Sequence, residues 1–264
     1  MEIAEGALAE FAKTVELTGT KFLEGFHRSR RSGSGVEFHE LRSYGEGEDA
    51  RFIDWKRLAS SDRYLVRQFE RTEKTSWKIW VDSSESMTYG EKQLWAASFA
   101  GSLLYVAQAL GDSWALLGIE KTSLNAAYND LLLGRTPSTI PGEVEVSLRK
   151  EDRLVLISDF FFDVDDLLKK VEILRDRVHE VVFVQVLDSR EAAFSFEGVI
   201  RFDDREGPSH LTLDARSVRS QFLKALSDLQ GRIRTSLTES DAMFVFEDDM
   251  KRLPVQLAEF FGVV

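Results

Sequence analysis

The chain has 264 residues, 43% hydrophobic and 30% charged, enough for one large α/β domain with an appendage or for two small domains. A net charge of -11 argues against non-specific nucleic-acid binding, which needs basic residues to displace phosphate counterions. Cysteine is absent, which excludes disulfides, thiolate metal sites and cysteine nucleophiles.

No apolar run approaches the roughly 20 residues of a membrane span. Acids at Glu2, Glu5 and Glu10 stand where a secretory signal would carry basic and apolar regions, so a soluble, cytoplasmic protein is expected. Ile3, Ala7, Leu8, Phe11 and Val15 recur at helical spacing and predict an amphipathic helix that Thr18-Gly19 can end. Between Phe26 and Arg71 basic residues outnumber acidic ones, the reverse of the chain as a whole. Arg28, Arg30 and Arg31 precede Ser-Gly-Ser-Gly, a flexible stretch that is either solvated or docks an acidic partner or a phosphate group. From Arg42 to Trp55, Gly45 and Gly47 sit among acids, and Arg51 and Asp54 flank Phe52 and Ile53. Such polar density suits a segment pinned to a scaffold by Arg–carboxylate pairs better than a core strand or a catalytic site. Glu46, Glu48 and Asp49 lack the spacing of a calcium loop. Tyr64 to Phe69 alternates as a strand and is expected to lead into the central sheet.

Trp77 to Val81 is an apolar strand that runs directly into Asp82, Ser84 and Ser86. Three oxygen side chains thus share one loop at the carboxyl end of a buried strand, where open α/β sheets hold their ligands. Carboxylate and hydroxyl oxygens are hard donors, suited to magnesium, manganese or calcium rather than zinc or copper. One carboxylate and two hydroxyls leave such an ion short of an oxygen, which an acidic residue of a partner protein would supply.

Beyond this loop, Thr88 with Glu91 reads as a capping box, and Leu94, Ala97, Gly101, Leu104 and Gln108 continue a helix to Gly111, with Gly101 permitting close packing. Trp114 to Ile119 reads as a strand, Asn125 to Leu133 as a hairpin arm, and Gly134 to Thr139 as a loop. Arg153 to Ser158 is a buried strand ending in Asp159, with Asp163 just beyond; two strands ending in Asp at one sheet edge would bring both carboxylates to one ion. A helix over Val164–Arg177 and a strand over Val181–Leu187 follow, after which Asp188 and Glu191 are expected to hold their loop by accepting from backbone N–H groups. Val199–Phe202 and His210–Leu213 form a hairpin around Gly207-Pro208, and Ala215 to Leu237 a long helix. A strand at Met243–Phe246 and a helix over Asp249–Phe261 complete the chain. This alternation argues for a mostly parallel sheet covered on both faces.

Val81-Asp82-Ser-Ser84-Glu-Ser86-Met87 resembles the metal-ion-dependent adhesion motif of von Willebrand factor A domains. The chain also resembles the bacterial domain-of-unknown-function family 58, whose members carry such a domain. The residues that match are Gly33-Ser-Gly35-Val-Glu37-Phe38, the run Arg42 to Trp55, Leu65-Val66-Arg67-Gln-Phe69-Glu70, Ser158-Asp159-Phe160, and Leu187-Asp188 with Glu191. The resemblance implies a von Willebrand factor A-like, Rossmann-like sheet covered by helices over residues 76–264. An N-terminal helix and an extended, family-specific arm occupy residues 1–75. It implies a Mg2+, Mn2+ or Ca2+ ion held by Asp82, Ser84 and Ser86, with Thr136 and Asp159 completing the shell and Thr139 in reserve for the threonine. Pro137, Pro141 and Gly142 depart from the family pattern, and leave open a vestigial loop whose serine hydroxyls merely cap the following helix. The partner implied is a MoxR-type AAA+ ATPase or its client, with Arg42, Arg51 and Asp54 as candidate partner contacts.

Enzyme signatures are missing: no Walker-type loop, no Gly-x-Ser-x-Gly elbow, no His-Glu-x-x-His helix. His27, His39, His179 and His210 are scattered, and Trp77, Trp80, Trp95 and Trp114 fall in core elements as packing residues. The expectation is a non-enzymatic protein-interaction module. A metal-dependent phosphate-ester hydrolase using the Asp82 and Asp159 pair, and a metal-free structural subunit, are the alternatives.

Overall fold

The computed structural model describes residues 5–31, 40–43, 65–68, 74–120, 123–140, 148–203 and 210–262. By their contacts they divide into two units, residues 24–74 and residues 1–23 with 75–264. Helix α1 (Glu5–Arg31) opens the chain. In the smaller unit β1 (Glu40–Ser43) and β2 (Leu65–Gln68) pair antiparallel, Glu40 opposite Gln68 and Ser43 opposite Leu65. The alternation of Tyr64 to Phe69 points to the central sheet, but β2 makes its own two-stranded ladder; alternation specifies a half-buried strand and not its partner. Arg42 lies in β1, while Arg51 and Asp54 fall outside the described residues.

Apolar, β-branched runs build the sheet of the larger unit. They are β3 (Ser76–Val81), β4 (Ser113–Leu116), β5 (Asp152–Ser158), β6 (Glu180–Leu187) and β9 (Ala242–Glu247), all parallel, in the order β4-β3-β5-β6-β9. Counted within the sheet this is the doubly wound order 2-1-3-4-5, whose winding reverses between β3 and β5. The result is a Rossmann-like α/β sheet flanked by helices. A separate antiparallel hairpin, β7 (Val199–Asp203) and β8 (His210–Asp214), stands as expected; its turn at Gly207-Pro208 lies outside the described residues.

Helix α2 (Lys92–Leu110) connects β3 to β4 and contacts β3, β4, β5 and β6. It is buried nearly all round: Trp95 and Phe99 stack at 4.9 Å, while Ala96, Ala97, Ala100 and Gly101 let neighbours come close. On α1, Phe11, Val15, Thr18 and Phe22 form one buried face. Thr18-Gly19 does not end α1. A Cβ at Gly19 would stand 2.4 Å from the Tyr105 ring, and Thr20 shares a 3.1 Å hydrogen bond with the Tyr105 hydroxyl, so this glycine serves close approach within the helix. Gly101 does the same for Val15.

Residues 125–133, expected as a hairpin arm, instead fall in α3 (Leu124–Leu132) and its C-cap Leu133. Ser123 caps it by accepting from the Ala126 N–H, and Ala127, Tyr128 and Leu131 fall on one buried side at helical spacing. On the opposite face of the sheet lie α4 (Val164–Arg175) and α6 (Ala215–Ser236), with Trp80, Leu154, Leu156 and Phe183 of the sheet packed against Val171 and Ile233. Complete burial of an aliphatic or aromatic side chain of this kind contributes about 1.5–3 kcal/mol. Short α5 (Ser189–Ala193) follows β6, and α7 (Leu253–Phe260) closes the chain, its Gln256 accepting from the Trp95 indole at 3.0 Å. Trp77, Trp80 and Trp95 are buried as expected, Trp114 half-buried. Among the described residues no helix is long and apolar enough to cross a membrane.

Candidate functional site

Four neighbouring strands of the sheet each give way to an aspartate: β3 to Asp82, β5 to Asp159, β6 to Asp188 and β9 to Asp248. The parallel register aligns these ends, so one carboxyl edge of the sheet carries a row of acids. Asp82 and Asp159 sit where the winding reverses, the place where such sheets bind ligands.

The Asp82 loop is tightly tied. Asp82 Oδ1 accepts from the Ser84 N–H at 2.8 Å, and Oδ2 accepts from the Ser158 hydroxyl at 2.6 Å. Ser84 Oγ lies 3.1 Å from Ser86 Oγ, and Ser86 donates to Asp159 Oδ1 at 3.3 Å. Asp82, Ser84, Ser86 and Asp159 therefore form one continuous hydrogen-bonded chain. Residues 85–88 make a single 3-10 turn in which the Thr88 hydroxyl donates to the Glu85 carbonyl at 2.7 Å. The expected capping box is thus not formed. Glu91 is the N-cap of α2 without a side-chain bond, and its own N–H is accepted by Asp248 Oδ2 at 2.8 Å across the sheet edge.

Thr136 is buried next to this loop, its carbonyl accepting from the Ser83 hydroxyl. The Trp80 indole donates to the Pro137 carbonyl at 2.9 Å and so helps to lace the 134–140 loop to β3. Thr139 lines a cavity of about 300 Å³ together with Ser84, Trp80, Ile140, Phe162 and Leu167. Asp163 caps α4 by accepting from the Asp165 N–H at 3.1 Å.

Burial pushes the Asp82 carboxyl above its ordinary 3.8; the Ser158 hydroxyl and Ser84 N–H pull it back, and the charge of Asp159 adds to the rise. Among the described residues no basic side chain pairs with Asp82. Asp159 is partnered differently. Lys92, the first residue of α2 and fully buried, places Nζ 2.7 Å from Asp159 Oδ2 and 3.0 Å from Glu191 Oε2. Burial raises the Glu191 carboxyl, and Lys92 works against that rise. Glu191 also accepts from the Asp188 N–H at 3.2 Å, closing the capping box of α5, as expected for this pair. Arg190 and the N–H groups of Arg190 and Glu191 outweigh burial and hold the Asp188 carboxyl below 3.8.

Lys92 was not legible as a site residue from motif spacing, yet a signal exists. It stands three residues before Trp95 and seven before Phe99, on the stripe that α2 buries, and a lysine on such a stripe needs a buried acid. Asp248 carried a weaker form of the Asp82 signal, an acid that follows the apolar run Met243–Phe246 with Glu247 between. His179 and His210 are exposed, and neither enters the site.

The donor set of two carboxylates and serine hydroxyls suits a hard divalent cation. Among the described residues no three histidine, cysteine, aspartate or glutamate side chains group to hold an ion, so an ion here would rest on two acids, hydroxyls and water.

The family described as "Protein of unknown function DUF58" matches the chain over residues 40–127 and 141–231. Uncharacterized proteins of Mycobacterium bovis and Mycobacterium tuberculosis are each 27% identical to it over 233 residues, covering 78% of this chain and 73% of the relative. No solved structure matches the chain significantly.

Proposed function

This chain belongs to the DUF58 family, and on that premise we propose that it is a non-enzymatic, von Willebrand factor A-like interaction module with a metal-dependent adhesion site. The observation that carries the reading is the chain of contacts from Asp82 through Ser84 and Ser86 to Asp159 at the reversal of winding. A divalent ion, Mg2+ or else Mn2+ or Ca2+, would supply there a coordination position open to a carboxylate of a partner. Asp82 brings a carboxylate that has no basic partner among the described residues, Ser84 and Ser86 bring hydroxyls, and Asp159 brings a second acid through its Oδ1 side. Thr136 is the candidate for a further oxygen, because Ser83 fixes its backbone against the loop.

The partner implied by the family resemblance is a MoxR-type AAA+ ATPase or one of its clients, with the Arg42, Arg51 and Asp54 segment as a second contact. The test is capture of such an ATPase by the full chain with Mg2+ and with the ion chelated. Capture that needs the ion and is lost in Asp82→Ala supports the reading; capture indifferent to both rejects it. A metal-free structural subunit is the second reading, favoured by the Lys92 ammonium that already neutralises Asp159. Under that reading Arg51→Ala abolishes capture while Asp82→Ala does not.

A further inference from the structure

Lys92 is fully buried on the first turn of α2, where the positive end of the helix disfavours a cation. Its position is therefore costly unless its partners compensate. Nζ is 2.7 Å from Asp159 Oδ2 and 3.0 Å from Glu191 Oε2, and the rings of Phe161 and Tyr89 approach it at 5.2 and 5.8 Å. Asp159 thus divides its two oxygens. Oδ2 meets the ammonium, while Oδ1 takes the Phe161 N–H at 3.0 Å and the Ser86 hydroxyl at 3.3 Å, on the side of the Asp82 loop.

We propose that Lys92 is a built-in counter-charge that sets the divalent-cation affinity of the Asp82–Asp159 site. The inference rests on the metal-site reading above and concerns how that site is tuned. Asp82 and Asp159 together offer two negative charges, and the ammonium cancels one of them at the carboxylate that faces the Ser86 hydroxyl. Glu191 holds the ammonium from the other side and is itself fixed by the α5 capping box, so the lysine is shared between an inner and an outer acid. The other charges nearby are already committed. Arg190 pairs with Asp188 at 2.9 Å, and Asp248 accepts the Glu91 N–H. Here the site keeps a weak affinity in the free protein, so that a further carboxylate from a partner makes a large difference to whether the cation stays.

The geometry gives a test in which structural damage and charge tuning point in different directions. Lys92→Gln and Glu191→Gln break the same ion pair, but the first makes the site one charge more negative and the second one charge more positive. The full chain and both variants, with Lys92→Gln/Glu191→Gln as the charge-restored control, are titrated with Mn2+ by calorimetry after circular dichroism confirms folding. Lys92→Gln is expected to bind Mn2+ about tenfold more tightly or better, Glu191→Gln about tenfold more weakly, and the double variant close to the unaltered chain. Equal weakening by both single variants overturns the proposal, because it makes the pair a structural prop only. If Lys92→Gln does not fold, Glu191→Gln and the double variant decide: unchanged or tighter binding in Glu191→Gln overturns it. An unaltered chain that binds no Mn2+ while Lys92→Gln does supports it, with Lys92 standing in for the ion. Silence in every variant overturns both this inference and the metal-site reading, whereas binding by the unaltered chain with looser binding by Lys92→Gln overturns this inference alone.

Discussion

Ser158 donates its hydroxyl to Asp82 Oδ2 at 2.6 Å, so the last residue of β5 holds the first residue beyond β3. The same Ser158 oxygen accepts from the Phe160 N–H at 2.8 Å, which turns the chain into the Asp159 loop. One side chain thereby sets the spacing of the two acids proposed to share a cation. Ser158→Ala leaves the backbone of both strands intact but releases Asp82. The expected result is loss of Mn2+ heat in calorimetry with the circular dichroism spectrum retained, and a stability loss of about 1–3 kcal/mol for the unsatisfied buried carboxyl.

Trp80 acts on the other side of the same loop. Trp80→Phe keeps an aromatic ring in the core but loses the 2.9 Å bond to the Pro137 carbonyl. Denaturant unfolding should show a loss of about 1–2 kcal/mol. Proteolysis should then begin within residues 134–140, since the indole no longer ties this loop to β3.

Gly90 combines a φ of +64° with a crowded surrounding: a Cβ there would stand 2.3 Å from Asp188 Oδ2 and 2.9 Å from Asp248 Oδ2. Gly198 has a φ of +75° but open space around it. The two positions separate backbone strain from crowding. Gly198→Ala is expected to cost about 1 kcal/mol and Gly90→Ala about 2–4 kcal/mol in denaturant unfolding. Equal losses at the two positions would refute the close approach of Asp188 and Asp248.

Asp241 leads into β9 and anchors it. Its carboxylate accepts from the N–H groups of Val181 and Thr238, each at 2.9 Å, from the Thr238 hydroxyl at 2.9 Å, and from Arg175 Nε at 3.0 Å. Burial alone would raise this carboxyl, but the Thr238 and Val181 bonds and the Arg175 charge outweigh it and hold it below 3.8. A native value below the unfolded one means that the stabilisation is present above pH 3.8 and is lost as the pH falls through the native value. Asp241→Asn should therefore cost about 1–3 kcal/mol at pH 7. The gap to the unaltered chain should close in urea unfolding at progressively lower pH; a constant gap would show that the charge is not the stabilising feature.

Much of this architecture was legible because buried parallel strands are short apolar runs, and those ending in Asp82, Asp159 and Leu187 stand out in the sequence. Capping at Asp188 with Glu191 was equally readable, since its chemistry is local. What failed was context-dependent. Residues 124–132 contain both helix and strand formers, and the Ser123 cap with packing on α2 decides for helix. Gly19 reads as a terminator until Tyr105, 86 positions away, is known to lie against it. Thr88 and Glu91 match a capping box in letters, but Glu91 N–H finds Asp248 instead, a partner 157 residues distant. Lys92 was passed over for the same reason: its two acids lie in the loop after β5 and in α5 after β6, and only the assembled sheet brings them to α2.

Strand β9 lies at the outer end of the sheet, paired on one side with β6, and carries Val245 at 37% exposure. Among the described residues β9 is outermost, and an outer strand that carries an exposed apolar side chain invites another chain to add itself strand to strand. At high concentration the purified protein should scatter light increasingly with time, and Val245→Lys should suppress that self-association while leaving the melting temperature nearly unchanged. Anyone preparing crystals or long titrations would do well to begin from that variant.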